Sequence, residues 1–123
     1  MTAKLIRLKK RADFLRVAAA RARAVRPGLI VQAAAQPGVG EETALRVGYT
    51  ASKRVGNAVA RNRAKRRLRA VAAATLPRLG MPGTDYVLIA RGETGARLYA
   101  ELLADAEAAL RQLARPRRAA AEG

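Results

Sequence analysis

The chain has 123 residues, half of them apolar, with 25 Lys and Arg against 9 Asp and Glu and a net charge of +16. That length suits one domain with one modest core, and the cationic excess points to a polyanion, nucleic acid before an anionic membrane, rather than to a neutral metabolic enzyme. With no Cys and no His, a Cys/His zinc site, a thiol nucleophile, a Ser-His-Asp triad and disulfides are excluded.

Arg11 to about Arg23 lacks Gly and Pro and is rich in helix formers, which predicts a helix ended by Pro27-Gly28. Leu29-Ile30-Val31 opens a short strand to about Ala35, and Gln36-Pro37-Gly38-Val39-Gly40 reads as a loop. Leu45, Val47, Tyr49 and Ala51 alternate within Leu45–Ser52, a strand pattern. Val55-Gly56-Asn57 breaks it, with Asn57 placed to cap a long helix over Ala58–Leu76. Pro77 and the Gly80-Met81-Pro82-Gly83 turn are expected to stop that helix. Asp85 to Arg91 holds a continuous apolar run that predicts a buried strand. Leu98, Leu102, Ala106, Ala109 and Leu113 lie at helical spacing. Residues 115–123, with Pro116, charge and alanine, predict a disordered basic tail, leaving 1–114 as a single domain.

The order is α-β-β-(β)-α-β-α, with room for a hairpin that splits one strand. It predicts an α/β (α+β) fold, a small single-sheet two-layer sandwich. Strand twist alone favours a right-handed crossover around residues 45–91. No apolar run nears the ~20 residues of a membrane helix. Met1–Arg11 is basic without a following apolar segment and cleavage site, so no secretory signal is expected and cytoplasm is the default.

The charge is blocked. Residues 1–26 hold nine bases opposed only by Asp13, and residues 53–69 hold eight with no acid. On a helix at ~100° per residue, Ala60, Ala64, Leu68, Val71, Ala72 and Thr75 share an arc of roughly 120°. Arg61, Asn62, Arg63, Lys65, Arg66, Arg67 and Arg69 cover the rest, with Asn62 central. Like charges this close repel, and an anion would settle them. Arg forks bind phosphate bidentately and stack on bases, and Asn can read a base edge or ribose hydroxyl. A solvated basic face without a partner is the bland alternative. A membrane-surface helix would want bulky apolar residues opposite the charges, and this one offers mostly Ala. Ser52-Lys53-Arg54-Val55-Gly56-Asn57 is either an ordinary capped turn or a phosphate-holding helix start. Phe14, taken alone, is more readily a core residue than a stacking platform.

These residues resemble the protein subunit of bacterial ribonuclease P. The resemblance rests on Gly56-Asn57-Ala58-Val59, Arg61-Asn62-Arg63, Lys65-Arg66 and Arg69. It is extended by Arg7-Leu8-Lys9-Lys10 with Asp13-Phe14, by Arg46-Val47-Gly48 before Ser52-Lys53-Arg54, and by Asp85-Tyr86 running to Ala90-Arg91. It covers about residues 5–114. It implies a left-handed βαβ crossover in place of the right-handed default. It implies that the chain binds a catalytic RNA and the 5′ leader of precursor tRNA, assisting endonucleolytic removal of the leader. The chemistry then belongs to the RNA and its Mg²⁺, with no catalytic side chain, metal or cofactor on the protein and no protein partner required.

By the same resemblance, Lys53, Arg54, Asn57, Arg61, Asn62, Arg63, Lys65, Arg66 and Arg69 face the RNA subunit. Phe14, Ala18, Ile30, Gln32 and Ile89 line a leader cleft edged by Lys65 and Arg69, which gives Phe14 a functional role. Ala18 stands where a second aromatic is usual, and Gln32 where some members have Tyr. The competing readings are a stand-alone RNA-binding module, such as a ribosome-associated protein, and a self-sufficient nuclease. The nuclease would need clustered carboxylates, and the acids here are scattered.

Overall fold

A computed structural model describes residues 5–37 and 44–122, with side chains described to residue 114. The loop expected at Gln36–Gly40 lies outside that description from residue 38 on, as do the side chains of the expected tail.

The elements in chain order are β1 (Leu5–Arg7), α1 (Arg11–Ala19), β2 (Ala22–Val25), β3 (Leu29–Ala35), β4 (Leu45–Thr50), a 3₁₀ turn (Lys53–Val55), α2 (Ala58–Leu79), β5 (Thr84–Ala90) and α3 (Tyr99–Glu122). One sheet holds all five strands in the order β1-β4-β5-β3-β2. β4 runs parallel to β1 and β5, whereas β3 is antiparallel to β5 and β2. The α+β class and the three central strands agree with the sequence patterns.

Three differences have physical causes. The helix expected to Arg23 ends at Ala19. Arg21 takes a left-handed φ of 62°, and Ala22–Val25 pairs with Val25↔Ile30 and Ala22↔Ala33 as end registers. Cross-strand pairing here overrides helix propensity. Pro77 sits inside α2 rather than stopping it; the chain turns one step later, where the Gly80 N–H donates to the Leu76 carbonyl at 2.8 Å. Leu98, expected on the core face of the last helix, precedes α3 and is 69% exposed.

Alternation along the strands sorts residues between two faces. Leu29, Val31 and Ala33 of β3, Leu45 and Val47 of β4, and Tyr86 and Leu88 of β5 face the main core. α2 adds Ala64, Leu68, Val71, Ala72, Thr75 and Leu76, which is the expected small-residue arc with Ala60 half-buried at its rim. α3 adds Leu102, Ala106, Ala109, Leu110 and Leu113. Buried Thr75 satisfies its hydroxyl on the Val71 carbonyl at 2.7 Å. Among the described residues no helix is long and apolar enough to cross a membrane.

The opposite face carries the shorter α1. Its Val17 packs with Leu8 and Val87, and Phe14, Ala34 and Ile89 close round them. Beside this small cluster lies a buried carboxylate. Asp85 on β5 is the register partner of Arg46 on β4, and Arg46 clasps it with Nε at 2.7 Å and a second nitrogen at 2.6 Å. Arg16 of α1 donates to the same carboxylate and to the Ala35 carbonyl at 2.9 Å. The hydrogen bond to Asp85 raises the Arg46 pKa above its ordinary value, against the lowering effect of burial. This triad pins α1 to the sheet through groups on three elements.

Candidate nucleic-acid interface

The cationic helix begins with a tight local turn. The Ser52 hydroxyl accepts the Arg54 N–H at 3.3 Å. Gly56 has φ 141°, a conformation that favours glycine. Asn57 caps α2, its side-chain oxygen accepting the Ala60 N–H at 3.0 Å, so the start of the helix is a capped turn. Asn57→Ala should lower folding stability by about 0.5–2 kcal/mol, and Asn57→Ser should restore most of it. Urea melts of both variants check this; equal losses for Ala and Ser would mean that the residue does not act as a cap.

From Lys53 to Arg69 no cation pairs with a carboxylate among the described residues. The side chains nonetheless divide into groups that charge counting does not reveal. Arg63 donates through Nε to the Gly95 carbonyl at 2.9 Å, and Arg67 donates to the Arg97 carbonyl. These two arginines lean on the loop between β5 and α3. That loop is fixed by a polar hub. The Thr94 hydroxyl donates to the Gly28 carbonyl at 2.6 Å and accepts the Arg91 N–H at 2.8 Å. Asp105 accepts the Gly28 N–H at 3.0 Å and Arg97 Nε at 2.5 Å. The Asp105 hydrogen bond raises the Arg97 pKa above its usual value.

Asn62, Arg66 and Arg69 are exposed, as are Lys53, Arg54 and Asn57, while Arg61 and Lys65 are partly so. The Arg69 guanidinium lies over the Tyr49 ring, 5.8 Å from its centroid. The α2 residues read from the sequence therefore do lie along one helix. Asn57 also serves as its cap, and Arg63 also braces a loop.

On the α1 side the sheet registers set residues in transverse rows. Ala34, Asp85, Arg46 and Ile6 form one row, covered by the Arg16 ion pair. Arg23, Gln32, Val87 and Gly48 form the next. There the Phe14 ring rests on β4: a Cβ added at Gly48 would meet Phe14 Cζ at 2.5 Å. The third row, Val25, Ile30, Ile89 and Thr50, is only partly covered, with Ile89 packing against the α1 cluster. Val25 is 47% exposed, and the other three are half-buried. The fold thus gathers Ile30, Gln32 and Ile89 on one sheet surface, with half-buried Phe14 and exposed Ala18 on the helix beside it.

Sequence reading did not single out a second feature on this side. Arg7, Leu8, Lys9, Phe14 and Tyr49 line a groove of about 390 Å³ where β1 hands over to α1. Its signal in the sequence was diluted: Arg7 and Lys9 count within a charge block, and Tyr49 reads as one more core-facing strand position. Burial raises the Tyr49 pKa, while the positive charges of Arg69 and Arg7 pull it down, which places both guanidiniums near the phenol.

The family model described as Ribonuclease P matches residues 2–114. The chain is 54% identical over 114 residues to the "Ribonuclease P protein component" of Paramagnetospirillum magneticum, covering 92% of this chain and 86% of that protein. It is 52% identical over 111 residues to the protein of the same name from Ruegeria pomeroyi, covering 89% and 87%. Among solved structures it is similar to the Staphylococcus aureus RNase P protein, with a TM-score of 0.70 and 26% identity over 88% of this chain and 94% of that one. The Thermotoga maritima RNase P protein shares the fold at a TM-score of 0.66 and 21% identity, covering 81% and 90%. Signature helix, sheet and sequence likeness agree: the chain belongs to the ribonuclease P protein family.

Proposed function

We propose that this chain is the RNA-binding subunit of a ribonuclease P ribonucleoprotein and helps a catalytic RNA remove the 5′ leader of precursor tRNA. The observation that supports this most is the α2 surface, which no carboxylate among the described residues neutralises from Lys53 to Arg69. Phosphates of the RNA subunit supply the missing negative charge, held by Arg forks. Asn62, exposed among them, reads a base edge or a 2′-hydroxyl.

The third row on the α1 side takes the single-stranded leader. Unpaired bases lie against Ile30, Ile89 and Val25, with Phe14 at the rim and Arg23 beside Gln32 for the backbone. With position 18 an alanine, this cleft holds the strand through apolar contact and charge more than through stacked rings. The protein supplies no catalytic side chain and takes no cofactor of its own. Among its described residues no three carboxylates stand together as a metal site, and Mg²⁺ belongs with the RNA subunit. No membrane and no protein partner enter this reading, and its place is the cytoplasm.

Reconstitution tests it. The purified protein, a bacterial ribonuclease P RNA and precursor tRNA are mixed at low Mg²⁺. Cleavage at the leader junction that needs both components is expected. Cleavage by protein alone would make it a nuclease, and RNA binding with no gain in cleavage would make it a stand-alone module; either overturns the proposal.

A further inference from the structure

We infer that the groove at the end of β1 is a nucleotide subsite: a base packs against the Tyr49 ring, and its phosphate is held by Arg7 and Lys9. The inference rests on the reading of the chain as an RNA-binding subunit; the groove shares Phe14 with the leader surface and extends that surface round the sheet edge.

The geometry carries it. At Leu8 the chain leaves the sheet with one last ladder bond, its N–H donating to the Val47 carbonyl at 2.9 Å. Arg7 pairs in register with Val47 and so shares the α2 side of the sheet with Tyr49. Leu8 and Phe14 belong to the α1 side. The groove therefore straddles the sheet edge and joins the two faces. Its volume, about 390 Å³, falls within the ~300–1,000 Å³ of small-ligand sites.

The lining matches the parts of a nucleotide. The half-buried Tyr49 ring offers flat apolar contact, which suits a base of any identity. Two cations at the rim suit a phosphate. Arg69, over the Tyr49 ring, carries positive charge on from this groove to α2. A strand on the α1 face would thus meet a continuous path towards the RNA-facing helix. An acidic peptide could use the cations but would leave the ring without a flat partner, and the net charge of +16 disfavours any cationic ligand.

The probe is single-stranded pentaadenylate, titrated into the intact chain without the RNA subunit. Intermolecular NOEs should connect base protons to the Tyr49 ring. Tyr49→Phe keeps the ring and should bind like the parent. Tyr49→Leu keeps apolar bulk in the core without a ring and should bind at least about fivefold more weakly, the lower end of base–aromatic stacking. Arg7→Gln and Lys9→Gln should each reduce the slope of log affinity against log salt by about 0.7. Melting curves of all four variants establish that they are folded. Unchanged affinity in Tyr49→Leu, NOEs confined to Ile30 and Ile89, or pentaaspartate binding as tightly as pentaadenylate would each overturn the inference. If the chain fails to bind ribonuclease P RNA, the functional reading falls by itself, whereas the Tyr49 NOEs and the Tyr49→Leu loss report on the groove and not on α2 or the Ile30–Ile89 row.

Discussion

Asp85→Ala should lower folding stability by about 3 kcal/mol, the lower end of the cost of breaking a buried ion pair. The carboxylate is fully buried, whereas the side chains of Arg16 and Arg46 are 29% and 27% exposed. Removing Asp85 therefore strands two guanidiniums that can only partly rehydrate. It also frees α1, which Arg16 ties to the sheet. Replacing Arg46 and Asp85 together with Leu should cost less than Asp85→Ala alone, since only Arg16 then loses Asp85, and Asp13 still pairs with it at 3.4 Å. Urea melts of the single and double variants measure the difference. A loss under about 1 kcal/mol for Asp85→Ala would place this pair with exposed ones such as Arg78 and Glu107, where such values are usual.

The second large effect lies in RNA affinity. Replacing Arg61, Lys65, Arg66 and Arg69 with Gln should flatten the dependence of log affinity on log salt by about three units, at ~0.7–0.9 per phosphate contact. At low salt that is an affinity loss of orders of magnitude. Arg67→Gln should behave differently. Arg67 donates to the Arg97 carbonyl and its Nε is buried, so its loss should lower the melting temperature and leave the salt slope nearly unchanged. Filter binding at several salt concentrations separates the two. Equal slopes for the parent and the quadruple variant would remove α2 from the interface.

What could be read from the sequence follows from how local its cause is. β3, β4 and β5 announce themselves by apolar runs and alternation, and α2 by its cap, its small-residue arc and its charge. β1 and β2 do not, because three or four residues are too few to display a period, and both contain arginine. They are strands only because β4 and β3 offer them an edge. The same distinction divides the site. The basic face of α2 is a matter of spacing along one helix. That Arg63 and Arg67 lean on loop carbonyls depends on where Thr94 and Asp105 hold residues 91–98. The groove of Arg7, Lys9 and Tyr49 exists only once β1 has joined β4. The pairing of Arg46 with Asp85 is likewise invisible until β4 and β5 are in register, although both residues belong to the stretches that carry the family resemblance.

The strand order has a consequence for how the chain is made. β5 is the middle strand of the sheet, yet it is the last strand to be synthesised. Before Thr84 leaves the ribosome, the sheet can form only as two separate pairs: the β2–β3 hairpin closes first, β1 must wait for β4, and β3 and β4 are joined only when β5 enters between them. Each of those unions closes a long stretch of chain, a topology that folds slowly compared with one built from local contacts. During that interval residues 1–69, with most of the positive charge and few acids, are a polycation without a core. A nascent chain cut short of β5 is therefore a sticky, unfolded cation among cellular RNA, and folding to completion is what gathers that charge into defined surfaces.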